Sequence, residues 1–269
     1  MDVVELWSLI RMLRHPNHSA PVLWRGSRPR FTAGALDEAL RLNWLSTADI
    51  AASRRAASGE ATQVMGRRLM RNMFVASALD ESVDGVQLTT RCPHCGGVDH
   101  GPPVLSKPHN RHLQVGAASC LDYFAVVTAP CSIGVDVESR ERFSPSLDRR
   151  PDEDVHDDDD VDRDPHEDPH QEFDVPDEVL RALAGSGHTV ATRIEMWTAW
   201  EALSKATGLG LLAEPKDIER AVATHKLRWF GGGAEPLACV AVDARHNADV
   251  VDVVLHTASL ITASTRPQP

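Results

Sequence analysis

Ile133-Gly134-Val135-Asp136-Val137-Glu138 alternates in the period of a β-strand. Residues two apart share one face of a strand, so Asp136 and Glu138 project together while Val135 and Val137 face a core. Two carboxylates so placed repel one another unless a cation lies between them. A small number of hard oxygen ligands suits Mg²⁺, which keeps several waters and bridges to phosphates. The same pattern also describes a half-exposed edge strand whose acids are simply solvated.

Working outward, the next decisive stretch is Trp197-Thr198-Ala199-Trp200-Glu201-Ala202-Leu203-Ser204-Lys205-Ala206-Thr207-Gly208-Leu209-Gly210. At about 100° per residue, Met196, Ala199, Trp200, Leu203 and Ala206 fall on one face, which predicts a core-facing helix over 192–207. Trp197, Glu201 and Lys205 follow one another at spacing four on the other side. An acid and a base one turn apart also read as a surface ion pair, worth a few tenths of a kcal/mol. Gly208 and Gly210 end the helix.

Elsewhere the pattern is coarser. Ser46-Thr47-Ala48-Asp49 has the form of a helix start. Met65, Leu69 and Met73 recur every four residues after Gly59, which predicts an amphipathic helix with Arg67, Arg68 and Arg71 near its exposed edge. Residues 91–112, rich in Cys, His, Gly and Pro, read as a loop or knuckle. Strand-like runs lie at 113–115, 123–127, 227–230, 237–242 and 250–255, with a helical segment at 176–184. Helix–strand–strand followed by strand–helix–strands predicts two α+β lobes, residues 1–130 and 131–269. There is no short-period repeat.

Composition narrows the class. A chain of 269 residues, 42% hydrophobic, is long enough to bury a sizeable core. No apolar run is long enough to span a bilayer, and residues 1–14 are amphipathic rather than a signal peptide. A cytoplasmic protein away from membranes is expected. The five cysteines, an odd number, fit a reducing compartment. The net charge is −11, but residues 148–178 hold 16 Asp or Glu against 3 Arg. The remainder has 23 acids and 25 bases, close to neutral. The acidic insert, at about 148–172, is expected to stay solvated and mobile. There is no glycine-rich phosphate loop of the Walker type, against an ordinary nucleotide hydrolase. There is no basic stripe interleaved with aromatics, so nucleic-acid binding is not expected. Cys92-Pro93-His94-Cys95 invites a zinc site completed by His100 with His109 or His112, or else a tight loop with reduced thiols. Cys120, Cys131 and Cys239 sit in apolar strand contexts and are expected in the core.

Joined in order, G-V-D-V-E and W-x-x-x-E-A-x-x-K-x-x-G-x-G resemble the two signature motifs of the Sfp-like 4′-phosphopantetheinyl transferases. Cys92-Pro93-His94-Cys95-Gly96-Gly97, with His100-Gly101 after it, is similar to a segment of the actinobacterial-type branch. The resemblance implies a pseudo-two-fold pair of lobes, each an antiparallel sheet packed on a long helix, with coenzyme A in the cleft between them. It implies that Asp136, Glu138 and Glu201 hold Mg²⁺ against the pyrophosphate of coenzyme A. Glu201, or a water on the carboxylates, would take the proton of a carrier-protein serine. Lys205 would neutralise or protonate the departing 3′,5′-ADP side. Arg67 and Arg71 would contact the phosphates. The partner implied is an acyl or peptidyl carrier protein, and a monomer is expected.

Three positions depart from the family pattern. The usual serine–histidine pair is absent from Val115-Gly116-Ala117-Ala118-Ser119-Cys120. Gly101-Pro102-Pro103 stands where a basic residue usually lies between Gly and Pro, and Trp200 replaces the lysine that often precedes the glutamate. Each removes a donor or a positive charge from a phosphate surface. Besides an active enzyme, a non-catalytic binding or regulatory relative on the same fold and a different magnesium phosphotransferase are both open.

Overall fold

The Gly134 run folds as a strand, and the chain around it is mixed α and β. The computed structural model describes residues 2–13, 20–56, 60–97, 101–109, 112–143, 175–185, 190, 192–246 and 249–255. The acidic insert at 148–172 and His100 lie outside the described residues.

In chain order the first half comprises α1 (Val3–Met12), β1 (Val22–Ser27), α2 (Ala33–Arg41), α3 (Thr47–Arg54), α4 (Ala61–Leu79), β2 (Gln87–Thr90), β3 (Pro103–Lys107), β4 (Gln114–Cys120) and β5 (Tyr123–Ala129). The second half comprises β6 (Ile133–Glu138), α5 (Arg140–Phe143), α6 (Asp177–Gly185), α7 (Arg193–Ala206), α8 (Pro215–Thr224), β7 (His225–Gly231), β8 (Leu237–Asp243) and β9 (Val251–Leu255). Six strands form one sheet in the order β2-β3-β4-β5-β1-β9, and three form another in the order β6-β8-β7. All described pairings are antiparallel except β1 with β9.

Three hydrophobic clusters define the layers. Leu6, Ile10, Leu36, Met73 and Phe74 of the first helices pack on Trp24, Phe124 and Val126. Leu23, Ala125 and Val127, on the opposite face of the same sheet, meet Val135, Val137 and Val240 of the smaller one. Cys239 and Ala241, on the far face of β8, meet Leu183, Leu203 and Ile218. The order is therefore helices, sheet, sheet, helices. Strands β5 and β8 are buried on both faces, which is why their sequences are nearly continuous apolar runs. Stacked rings of Trp24, Phe74 and Phe124, with centroids 5.0 and 5.3 Å apart, tie α4 to its sheet.

Local chemistry sets the helix starts. Ser46 and Asp49 form a capping box at α3, and Thr192 and Glu195 form one at α7.

The structure corrects several sequence expectations. Residues 91–112 are not loop throughout, because β3 runs within them and pairs with β2 and β4. Its first residue is Pro103, tolerated at a strand start because no ladder donor is lost inside the strand. β9 belongs by sequence to the second lobe but lies beside β1 in the larger sheet. Arg71 is not at an exposed edge; it is 7% exposed. Helix α7 has no solvated face of the kind expected, since Ile194, Thr198 and Ala202 are buried as well as Ala199 and Leu203. Small residues let it lie between β6 and β8 on one side and α6 and α8 on the other.

Candidate functional site

Gly134 sits two residues before Asp136, on the same strand face. A Cβ placed there would fall 2.0 Å from the Ala202 carbonyl oxygen and 2.4 Å from the Ala206 nitrogen, both backbone atoms. Only glycine lets α7 rest directly on β6 at this point. The contact sets the helix register and brings Glu201 and Lys205, which bracket Ala202, over the acidic face of the strand. Lys205 Nζ donates to Asp136 Oδ1 at 2.6 Å and lies 3.1 Å from Glu201 Oε2. Asp136 and Glu201 are thus no farther apart than these two contacts laid end to end. Their side chains are 6% and 12% exposed, so the Glu201–Lys205 pair is neither solvated nor alone. Val135 and Val137 point into the core between the sheets, as the alternation requires.

Burial pushes the Asp136 carboxyl up to about 6, against the pull of the Lys205 ammonium, with Glu201 and Glu138 adding to the rise. Burial pulls the Lys205 ammonium down, but Asp136 and Glu201 outweigh it and the net shift is upward. Asp136 Oδ2 is buried with no hydrogen-bond partner. Glu138 accepts hydrogen bonds from Arg142 Nη1, at 3.0 and 2.8 Å to its two oxygens. Among the described residues no three His, Cys, Asp or Glu side chains are grouped closely enough to hold a metal ion. The donor chemistry nevertheless suits a hard divalent cation, and Oδ2 is an oxygen in want of a partner.

Two hollows lie along β4, one of them walled by Lys205. One, of about 360 Å³, is lined by Lys205, Ile133, Gly116, Cys92, Pro102, Leu209 and others, mostly apolar. The larger, of about 450 Å³, is lined by Arg28, Arg67, Arg68 and Arg71 with Ala118 and Ser119 of β4. Ala117 lines both, so they are neighbours across β4. The larger hollow lies between α4 and the sheet face that carries Phe124 and Val126, and none of Asp136, Glu138, Glu201 or Lys205 lines it. Burial, and then the nearby Arg28, lower the Arg67 pKa. Burial pulls the Arg71 guanidinium down to about 10 despite Asp49 beside it.

Asp49 explains the correction at Arg71. Its carboxylate, 0% exposed, receives both Arg68 and Arg71 at 3.0 Å and offsets the charge that α4 buries. Burial alone would raise the Asp49 pKa, but Arg71, Ser46 and Arg68 outweigh it and the net shift is downward. A depressed carboxyl contributes stability that is full above its unfolded pKa and is lost as pH falls through the folded value. Asp49→Asn is therefore expected to destabilise the protein at pH 7. Its deficit against the parent should shrink in urea titrations run progressively below about pH 4. A deficit independent of pH would show that Asp49 acts by packing alone.

The remaining candidates are dispersed. Cys92 is buried and Cys95 exposed, and neither shares a metal-ligating group with His94, His109 or His112 among the described residues. Cys120 and Cys239 are buried and Cys131 is half-buried. Sequence reasoning missed Arg28, Arg142, the pairing of Arg68 with Asp49 in the wall of the larger hollow, and the second role of Asp49. Arg142 at spacing four from Glu138 was a legible signal. Arg28 had none, since only the fold brings it to α4. No protein-family profile matches the chain, and no curated protein matches it.

Proposed function

We propose that the protein transfers the 4′-phosphopantetheine arm of coenzyme A to a serine of an acyl or peptidyl carrier protein, with Mg²⁺ as cofactor. The observation that carries this is the meeting of Asp136, Glu201 and Lys205, from a strand and a distant helix, with Lys205 in the wall of an apolar hollow that shares Ala117 with a second hollow lined by four arginines. The two signature motifs supply those three residues. The layered sheets, with α4 outside one and α7 outside the other, suit a pseudo-two-fold pair of lobes.

The resemblance gives Asp136, Glu138 and Glu201 as the residues that would hold the ion; the three are not grouped as a ligand set among the described residues, so binding would have to draw Glu138 toward the other two. The chemistry such an ion would supply is neutralisation of charge on a pyrophosphate during phosphoryl transfer. The chain's own residues do the rest. The arginines of the larger hollow hold the phosphates of coenzyme A, and the apolar hollow beside Lys205 receives the pantetheine arm. Glu201 takes the proton of the attacking serine hydroxyl. The serine oxygen bonds to the phosphorus that carries the pantetheine arm. The bond from that phosphorus to the 3′,5′-ADP oxygen breaks, and Lys205 meets the charge left on the leaving group. The test is a carrier protein gaining the mass of a phosphopantetheine arm when mixed with this protein, coenzyme A and Mg²⁺. No gain with several different carriers would set transfer aside.

The pH dependence follows from Asp136. An ion needs the ionised carboxylate, so Mg²⁺ affinity is expected to fall as pH drops below about 6, the value Asp136 has in the metal-free fold. The half-saturating Mg²⁺ concentration should rise close to tenfold per pH unit at the acid end. Competition binding with Mn²⁺ checks this without turnover, and a flat profile from pH 7 to 5 would remove Asp136 from the ion's ligands.

A non-catalytic relative is the second reading. It is favoured by the Lys205 ammonium between Asp136 and Glu201 and by Arg142 on Glu138. A folded protein giving no heat with coenzyme A at high micromolar concentration would select it.

A further inference from the structure

Asp49 lies beneath the arginine-lined hollow and is saturated with donors. Oδ1 accepts from Arg68 Nη1 and Arg71 Nη2, each at 3.0 Å. Oδ2 accepts from Ser46 N at 3.0 Å, Ser46 Oγ at 2.8 Å and Asn72 Nδ2 at 3.2 Å. The side chain is thus pinned to the first turn of α3 while it grips two consecutive turns of α4. Asn72 is fixed in turn by donating to the Trp44 carbonyl at 3.0 Å.

We propose that Asp49 is a positioning residue for anion binding, holding Arg68 and Arg71 so that their remaining donors face a phosphate group in the hollow. The inference rests on the assignment of that hollow to coenzyme A. Four guanidinium groups line it, and Asp49 is the acid paired with two of them. Arg67 makes no ion pair or hydrogen bond among the described residues, and Arg71 Nε is buried without a partner. Like charges gathered in one place repel, so the hollow carries positive charge that a single carboxylate does not cancel. A buried guanidinium without its acid would be driven toward water. Asp49 instead keeps Arg71 in the wall and lowers the ordering cost of receiving an anion.

Positioning and plain electrostatics predict opposite signs. Asp49 is itself an anion near the hollow, so neutralising it should tighten anion binding if only charge mattered. If positioning dominates, binding weakens. Asn would also turn an amide N–H₂ or a lone acceptor toward donors that need a carboxylate, so the arginines lose their seat.

The test is calorimetric titration of the parent, Asp49→Asn, Arg68→Gln and the double variant with 3′,5′-ADP and with inorganic pyrophosphate. Asp49→Asn is expected to bind 3′,5′-ADP about tenfold more weakly, the equivalent of one charge-assisted hydrogen bond lost or bent. The double variant should lose less than the sum of the two single losses, because part of the acid's effect runs through Arg68 and the rest through Arg71. In turnover, KM for coenzyme A should rise while kcat and KM for the carrier hold. Equal or tighter binding by a cooperatively melting Asp49→Asn, or additive losses in the double variant, overturns the proposal. If Asp49→Asn does not fold, Ser46→Ala decides: it removes one donor to Oδ2 and leaves both arginines, and unchanged 3′,5′-ADP affinity overturns the proposal. A parent that binds neither probe overturns the coenzyme A assignment and this inference together. A parent that binds only pyrophosphate overturns the assignment alone, and the variants are then judged by pyrophosphate.

Discussion

Asp136→Asn is expected to lower carrier labelling by about a thousandfold or more under saturating coenzyme A and Mg²⁺. The carboxylate is asked to support charge stabilisation worth several kcal/mol, and each 1.36 kcal/mol is a factor of ten in rate. The substitution is nearly isosteric, and the residue is buried with one oxygen unpartnered, so little packing is disturbed. Neutralising it also removes the desolvation that burial imposes on the ionised form. A raised carboxyl pKa means that ionisation costs stability above about pH 6, so the neutral amide should not unfold the protein. Lys205 loses one partner but keeps Glu201 at 3.1 Å. The measurement is single-turnover mass labelling of a carrier, with melting temperatures alongside. Glu201→Gln should match it in size, because the same step needs both acids. A folded Asp136→Asn protein that labels its carrier at the parent rate would remove the carboxylate from the reaction.

The second large effect is predicted at a residue with no functional groups in its side chain. Gly134→Ala inserts a methyl group where backbone atoms of α7 already lie at 2.0 and 2.4 Å, far inside contact distance. Flexible side chains could give way; two helical peptide groups cannot. Overpacking in a rigid site costs about 1–3 kcal/mol, and a clash with backbone belongs at or above the upper end. The helix must either move off β6 or carry the strain. Moving off separates Lys205 from Asp136 and disperses the cluster; staying leaves the cluster standing on a strained, destabilised contact. Expected results are a fall of at least about 3 kcal/mol in urea stability and, in protein that remains folded, carrier labelling reduced at least as much as by Asp136→Asn. Full stability with full labelling would show that α7 does not rest on the strand as described. Gly185→Ala, with open space around the added Cβ, is the matched control.

Much of the local structure was legible because it depends on near neighbours. The alternation at 133–138 was enough to put Val135 and Val137 inward and the two acids together. Ser46 with Asp49 announced a helix start, and the structure forms the full capping box there. The spacing of Trp197, Glu201 and Lys205 was enough to place acid and base one turn apart. It was not enough to say what they face. The same helix seen alone predicts a solvated ion pair, and the error at Arg71 has the same origin. An arginine on a helix is assigned to water unless a carboxylate from another element reaches it. Asp49 does so from 22 positions upstream. β3 was hidden because prolines and glycines around it read as turn signals, and its pairing with β2 and β4 is a long-range matter.

The sequence by itself determined the local patterns: acids two apart on a strand, an acid and a base one turn apart on a helix, and a small residue before the first acid. Those patterns follow from the fixed geometry of strands and helices, which needs no partner. The tertiary structure alone decided that the two halves meet, because Gly134 lets one helix lie against one strand. It alone decided that Asp136 and Glu201 are withdrawn from water with a half-buried Lys205 between them and that four arginines line one hollow. Desolvation and convergence arise only when distant segments exclude solvent between them, and no window of neighbouring residues carries that information.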